Sequence, residues 1–137
     1  MDSAEYARLV VANMPFAAVL QIQFAELAPQ LVRATMAWAP ERCTTGGMLH
    51  GGALMAFADT AGAVCAVMNL PRGAATSTIE SKTNFFRAVR DGTVTATSVP
   101  LHVGRSTIVV QTDLGDDDGG LVARVTQTQA VLAAKAR

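Results

Sequence analysis

The stretch from Gly51 to Leu70, GGALMAFADTAGAVCAVMNL, holds a single charged residue, Asp59, and it constrains the fold more than any other part of the chain. Wound as a helix it is apolar around its whole circumference, and such a helix has to be enclosed by other structure. His50-Gly51-Gly52 opens the run and Pro71 closes it, which are start and stop signals for a helix of about Gly51 to Asn69. The length approaches the roughly 20 residues of a membrane span. The run is nevertheless rich in Ala and Gly and carries Asp59 near its middle, so it reads as the buried helix of a soluble protein. An ionised carboxylate is rarely left in apolar surroundings without a partner or a task.

The rest of the chain supplies the enclosing material. Ser3 to Met14 has Tyr6, Leu9, Val10 and Met14 on one helical face, with Pro15 ending it. Leu20–Leu27 and Leu31–Trp38 read as strands, followed by a Gly/Thr/Pro loop from Ala39 to Leu49. After the apolar helix come four strand-like runs, Thr76–Phe86, Thr93–Val103, Ser106–Leu114 and Leu121–Leu132. In the first of these Ile79 and Phe85 are placed on one face. Arg90-Asp91-Gly92, Gly104-Arg105 and the acidic segment Gly115–Gly120 mark tight turns between the strands. The acidic cluster lacks the spacing of a calcium loop and reads as a solvated hairpin turn. An Ala/Lys/Arg tail is expected to fray.

Tight turns imply antiparallel neighbours. The pattern therefore predicts an α+β fold in which an antiparallel sheet wraps a long central helix. One small sheet covers only part of that helix, so a homo-oligomer is predicted as well. The 137 residues amount to one domain, with no internal repeat or dividing linker. The formal net charge is zero and no basic stripe is present, which argues against nucleic acid or an anionic membrane surface as partner. Cys43 and Cys65 form no CxxC, and with two separated histidines they make no metal-ligand cluster. Free thiols and an N-terminus without a signal-peptide core point to the cytoplasm. No metal or redox cofactor is implied.

Within the helix, Gly51 and Asp59 are eight residues apart, which is about 12 Å along the axis and roughly 80° in rotation. His50 and Asp59 lie on roughly opposite sides. The Gly51 N–H sits at the positive helix end, and Gly-Gly lets a ligand oxygen approach where no β-carbon intervenes. That is the chemistry of an oxyanion hole, and a carboxylate facing it can attack an acyl carbon or deprotonate water. One reacting carbonyl cannot touch both groups of one chain, so the two are expected to meet across a subunit interface.

Leu49 to Ala61, LHGGALMAFADTA, resembles the signature of the hotdog-fold acyl-CoA thioesterases, in particular the phenylacetate-degradation type. Asn84 to Gly92, NFFRAVRDG, and the Gly104-Arg105 turn are also similar to that family. The resemblance implies an acyl-CoA thioesterase acting on a small or aromatic acyl-CoA. It implies dimers, often paired into tetramers, with sites at the dimer interface. Gly51 would supply the oxyanion N–H, Asp59 of the partner subunit the nucleophile or general base, and His50 would shape the helix start. The position that often holds Asn or Gln in the family is Thr44 here, a hydroxyl that reaches less far than an amide. Ser77 and Thr78 fall where some relatives carry a hydroxyl on the strand after the helix. Arg87, Arg105, Ser106 and Thr107 are candidates for the CoA phosphates and the pantetheine entrance. Phe16, Met48, Met55, Phe57 and Phe85 are candidates for an acyl pocket. Coenzyme A is part of the substrate and no separate cofactor is called for. A non-catalytic acyl-thioester binding module on the same fold is the alternative. A dehydratase would need a His–acid pair at one carbon, which His50 and Asp59 are not spaced to form; His102 falls in a strand and is not read as a base.

Overall fold

The computed structural model describes residues 1–134; the end of the expected frayed tail lies outside the described residues. Three α-helices, α1 (Ser3–Ala12), α2 (Pro15–Val19) and α3 (Gly51–Val67), accompany six strands. These are β1 (Gln23–Ala28), β2 (Leu31–Ala37), β3 (Ala75–Phe85), β4 (Thr93–Val103), β5 (Thr107–Gly115) and β6 (Leu121–Leu132). They form one sheet in the order β1-β2-β4-β5-β6-β3, with every neighbouring pair antiparallel. The sheet curls around α3, as the tight turns and the apolar helix predict.

Local chemistry sets the element ends. Asp2 caps α1 by accepting from the Glu5 N–H at 2.8 Å. Pro15 does not simply end α1; it is the first residue of a second short helix, where its fixed φ suits the opening turn. Gln21 then adopts a left-handed φ of 53°, so β1 begins at Gln23 rather than at Leu20. At the end of α3 the Asn69 side chain donates to the Cys65 carbonyl at 2.9 Å and to the Pro29 carbonyl at 2.7 Å. This stops the helix two residues short of the expected Asn69. The acidic segment is a hairpin turn, as expected: the N–H groups of Asp118 and Gly120 donate to Asp116 Oδ1 at 3.0 and 2.8 Å.

The core lies between the concave face of the sheet and α3. Inward residues alternate along the strands, as with Val32, Ala34 and Met36 on β2, and meet Phe57, Ala61 and Val64 of the helix, all fully buried. The sheet does not close around the helix. Gly52, Met55, Ala56, Asp59 and Ala63 form an incompletely covered stripe at helical spacing. Along that side runs β3, an eleven-residue strand at the edge of the sheet whose outer backbone groups pair with no strand. Among the described residues no helix is long and apolar enough to cross a membrane.

One bulge alters the expected alternation. β3 shifts register between Thr78 and Glu80, so Ile79 becomes an extra residue, 61% exposed. Ile79 and Phe85 therefore do not belong to one regular face. Thr76 and Thr78 before the bulge, and Ser81, Thr83 and Phe85 after it, pair with the inward residues of β6.

Phe57 is the largest fully buried side chain. Phe57→Ala is expected to destabilise the chain by about 3–5 kcal/mol, measured by denaturant unfolding at matched protein concentration.

Candidate active site

The start of α3 is built by three hydrogen bonds. His50, in extended conformation, is the N-cap, and its Nδ1 accepts from the Gly52 N–H at 2.8 Å. That bond needs a bare Nδ1, which leaves the ring proton on Nε2. The His50 carbonyl takes the N–H groups of Ala53 and Leu54 at 2.9 and 3.2 Å. The Gly51 N–H is thus the one left without a partner among the described residues, at the positive end of the helix dipole. The Phe85 ring lies against Gly51: a β-carbon there would come within 3.3 Å of Phe85 Cζ.

Two further contacts fix the preceding loop. The His50 N–H donates to the Arg42 carbonyl at 2.8 Å, and the Thr44 N–H to the Met48 carbonyl at 2.9 Å. Thr44 is therefore tied beside the helix start, with an exposed side chain.

Asp59 sits on the open stripe of α3, half-buried. Its Oδ1 accepts from Thr78 Oγ1 at 3.0 Å and from Gln127 Nε2 at 3.2 Å. Its Oδ2 accepts no hydrogen bond among the described residues. Behind Thr78, Gln129 Nε2 donates to Thr78 Oγ1 at 2.7 Å, and Thr76 Oγ1 lies 3.0 Å from Gln129 Oε1. Gly51 and Asp59 belong to one uninterrupted helix, which keeps them about 12 Å apart along its axis.

The structure brings together only some of the residues singled out from the sequence. Thr78 meets Asp59. Ser77 points to the opposite face of β3 and does not. Phe85 lies at Gly51, and Met55, 41% exposed, shares the open stripe with Asp59. Phe57 is core, and Phe16 stands exposed on α2. Arg87 is engaged with Asp116 at 3.1 Å across the β5–β6 turn. The N–H of Gly120 first, and Arg87 second, hold the Asp116 carboxyl below its usual range. Arg105, Ser106 and Thr107 lie at the β4–β5 turn. There the Ser106 carbonyl accepts from Val131, beside the start of β3 and at the opposite end of their own α3 from Gly51. His102 packs over Gly104 near that turn.

A free N–H at a helix start and a carboxylate with one held and one open oxygen are groups that acyl transfer can use. Comparison with known proteins gives the family. Residues 46–123 match the family model described as the thioesterase superfamily. The chain belongs to this superfamily. A Vibrio cholerae protein carrying the name "putative esterase" is 38% identical over 112 residues, spanning 82% of this chain and 75% of that one. The 1,4-dihydroxy-2-naphthoyl-CoA hydrolase of Escherichia coli is 29% identical over 113 residues, 82% of this chain and 83% of that one. The crystal structure of a Haemophilus influenzae thioesterase superposes with a TM-score of 0.88 at 26% identity, covering 98% of this chain and 93% of that one. The fold is the hotdog fold of this superfamily, and the chain is a thioester hydrolase.

The sequence did not single out Thr76, Gln127 and Gln129. The signal lies in β6, where Thr126-Gln127-Thr128-Gln129 is polar at both parities. A strand lying over an apolar helix should have been apolar on one of them.

Cys65, the buried thiol of α3, is not a nucleophile for this site. Burial pushes its pKa up to about 12, against 9.0 for an ordinary thiol. It stays neutral in the folded chain, whereas the unfolded thiol ionises near 9. Unfolding therefore releases a proton between these limits, and stability falls as pH rises from about 9 toward 12. Thermal melts at pH 8 and pH 10 are expected to show this alkaline loss in the wild type and a smaller loss in Cys65→Ala.

Proposed function

We propose that the protein hydrolyses a small or aromatic acyl-CoA to the free acid and CoA, at sites shared between two copies of the chain. The observation that carries this reading is the state of Asp59: Oδ1 is occupied by Thr78 and Gln127, and Oδ2 is open on the uncovered stripe of α3. On this reading the thioester oxygen accepts from the Gly51 N–H of one copy, where the helix end favours the charge that develops on it. Asp59 of the other copy acts at the acyl carbon through Oδ2, as nucleophile or by deprotonating the attacking water. The leaving group is a thiolate whose conjugate acid has a pKa of only about 8.5, so it departs without a strong general acid. One carboxylate and one oxyanion donor suffice, with no cofactor.

Two features support the shared site. Gly51 and Asp59 of one helix are too far apart for one carbonyl. The open stripe and the unpaired edge of β3 also leave apolar surface, Met55 included, that a second copy would cover. A dimer, or a dimer of dimers, is the assembly this favours. For the acyl group, the exposed rings of Phe85 and Phe86, the first of them against Gly51, suit a flat aromatic acid. The aryl-CoA hydrolase among the relatives points the same way, and phenylacetyl-type thioesters fall within this class. Free thiols and a CoA substrate suit the cytoplasm.

Asp59→Asn keeps the side-chain shape but removes base and nucleophile. It is expected to lower kcat for thiol release by about 10²–10⁴-fold while acyl-CoA binding, followed by calorimetry, persists. Wild-type turnover by this variant would make Asp59 structural.

Sharing of the site has its own test. Gly51→Val presses a side chain toward Phe85 and the carbonyl position. Mixed with Asp59→Asn, it should give heterodimers that keep one intact site, and random exchange should restore about a quarter of wild-type activity by two-fold symmetry. No recovery, with exchange shown by mass spectrometry and folding by circular dichroism, would place both residues in a site within one chain.

A further inference from the structure

Along the inward face of β6, Ala123 and Val125 are followed by Gln127 and Gln129, both of them buried. An amide placed there loses its water, which costs several kcal/mol unless it is hydrogen-bonded. The geometry shows what the two amides hold. Gln127 Nε2 reaches Asp59 Oδ1 at 3.2 Å and the Asp59 carbonyl at 3.4 Å. Gln127 Oε1 is buried without a partner among the described residues, so the only bonds this side chain makes are to Asp59. Gly62 makes room for it: a β-carbon there would collide with Gln127 Oε1.

Gln129 acts one step further away. An ionised Asp59 only accepts, so the Thr78 hydroxyl must donate to it. Thr78 Oγ1 in turn takes the Gln129 N–H at 2.7 Å, and Gln129 Oε1 faces Thr76 Oγ1 at 3.0 Å. Thr76 also lies 2.8 Å from the Ala130 carbonyl. The donors run one way from Gln129 through Thr78 to the carboxylate, while Thr76 has one hydroxyl proton for Gln129 Oε1 and the nearer Ala130 carbonyl together. The bulge directly after Thr78 ends the straight run of pairing at the point where this relay reaches α3.

We infer that Gln127 and Gln129 are positioning residues that clamp one oxygen of Asp59, Gln127 directly and Gln129 through Thr78, so that Oδ2 alone faces the acyl carbon or its water. This rests on the proposed reading of Asp59 as the reacting carboxylate. Without the clamp the carboxylate turns about its terminal bond, and a displacement of about 1 Å at a reacting atom costs up to roughly 10²-fold in rate.

The test replaces each amide with an apolar side chain of similar length, Gln127→Met and Gln129→Met, in the full chain. Thiol release is measured with whichever of acetyl-, hexanoyl- and benzoyl-CoA the wild type turns over fastest. The expected result is a kcat about tenfold lower for each variant, with KM changed by less than about twofold and the melting temperature not lowered. Because Gln129 acts through Thr78, Gln129→Met in a Thr78→Val background should cause no further loss. Wild-type kcat in either variant, or a Gln129→Met loss that multiplies fully in the Thr78→Val background, overturns the inference.

Gly62→Ala covers the case in which a glutamine variant does not fold. It leaves both amides in place, but its methyl group displaces Gln127 from Asp59, so kcat should again fall; an unchanged kcat overturns the direct clamp. The outcome with Asp59→Asn separates the two levels. An active Asp59→Asn overturns the reading of Asp59 and the clamp together. An inactive Asp59→Asn beside fully active glutamine variants overturns the clamp alone.

Discussion

The structure depends on the enclosure of one helix. α3 is apolar on nearly every side, and taking that surface out of water favours the folded chain. The six strands curl over most of its surface, and the order of the sheet follows from that task. After α3 the chain goes to the far edge as β3, then crosses the helix start to form β4 next to β2. This crossing places Val89 over the helix start, where its carbonyl accepts the Leu49 N–H at 2.9 Å. The same connection carries Phe85 to Gly51. One topological choice thus closes the core at the N-terminal end of α3 and puts an aromatic ring beside the free N–H.

Polar groups within this apolar enclosure fall into two kinds. Ser98 and Thr112 are buried and bond each other at 2.6 Å across β4 and β5, a closed pair that reaches nothing else by its side chains. The glutamines of β6 instead lead outward to Asp59 on the open stripe. The difference matters because desolvated amides are expensive. A closed pair is satisfied by its own geometry, whereas the Gln127 amide is only half satisfied. Such a group is stable in place only if its neighbours hold it there, which here means Gly62 behind it and Asp59 ahead.

Much of this was legible in the sequence. The apolar run led to a wrapped helix, the glycine pair and Asp59 to a candidate site on it, and turn residues placed four antiparallel strands. What the sequence did not show follows from local geometry. The short helix at Pro15 rests on a proline that suits the start of a helix as well as the end of one. The bulge at Ile79 leaves no mark in a Thr-rich strand, since Thr and Ser are tolerated on either face. The partners of Asp59 lie on β6, 68 residues away along the chain for Gln127, and only the β3–β6 register brings them to the helix. Arg87 shows the same dependence on distant partners. An arginine just before a turn suggested a phosphate ligand, and the fold sets its half-exposed side chain beside Asp116 at 3.1 Å. Arg105 is held at the far end of α3, so on the shared-site reading only the partner's geometry could bring it toward CoA.

The open stripe gives the last step of the argument. A chain that sealed α3 completely would gain apolar burial and would bury Asp59 Oδ2 as well, which on the proposed reading would leave the carboxylate with no access to a substrate. A chain that left the stripe bare would expose Met55 and an eleven-residue sheet edge to non-specific pairing. Covering the stripe with a second copy resolves both demands, on the proposed reading. Symmetry hides the apolar edge, and the groove that remains between the copies is lined by the Gly51 N–H from one side and Asp59 from the other. On that reading the roughly 12 Å spacing along α3, too long for one carbonyl to bridge, is the length that a two-fold arrangement turns to use. The carboxylate and the oxyanion donor then come together only in the assembled form, and an isolated chain would hold both groups without the means to apply them to the same bond.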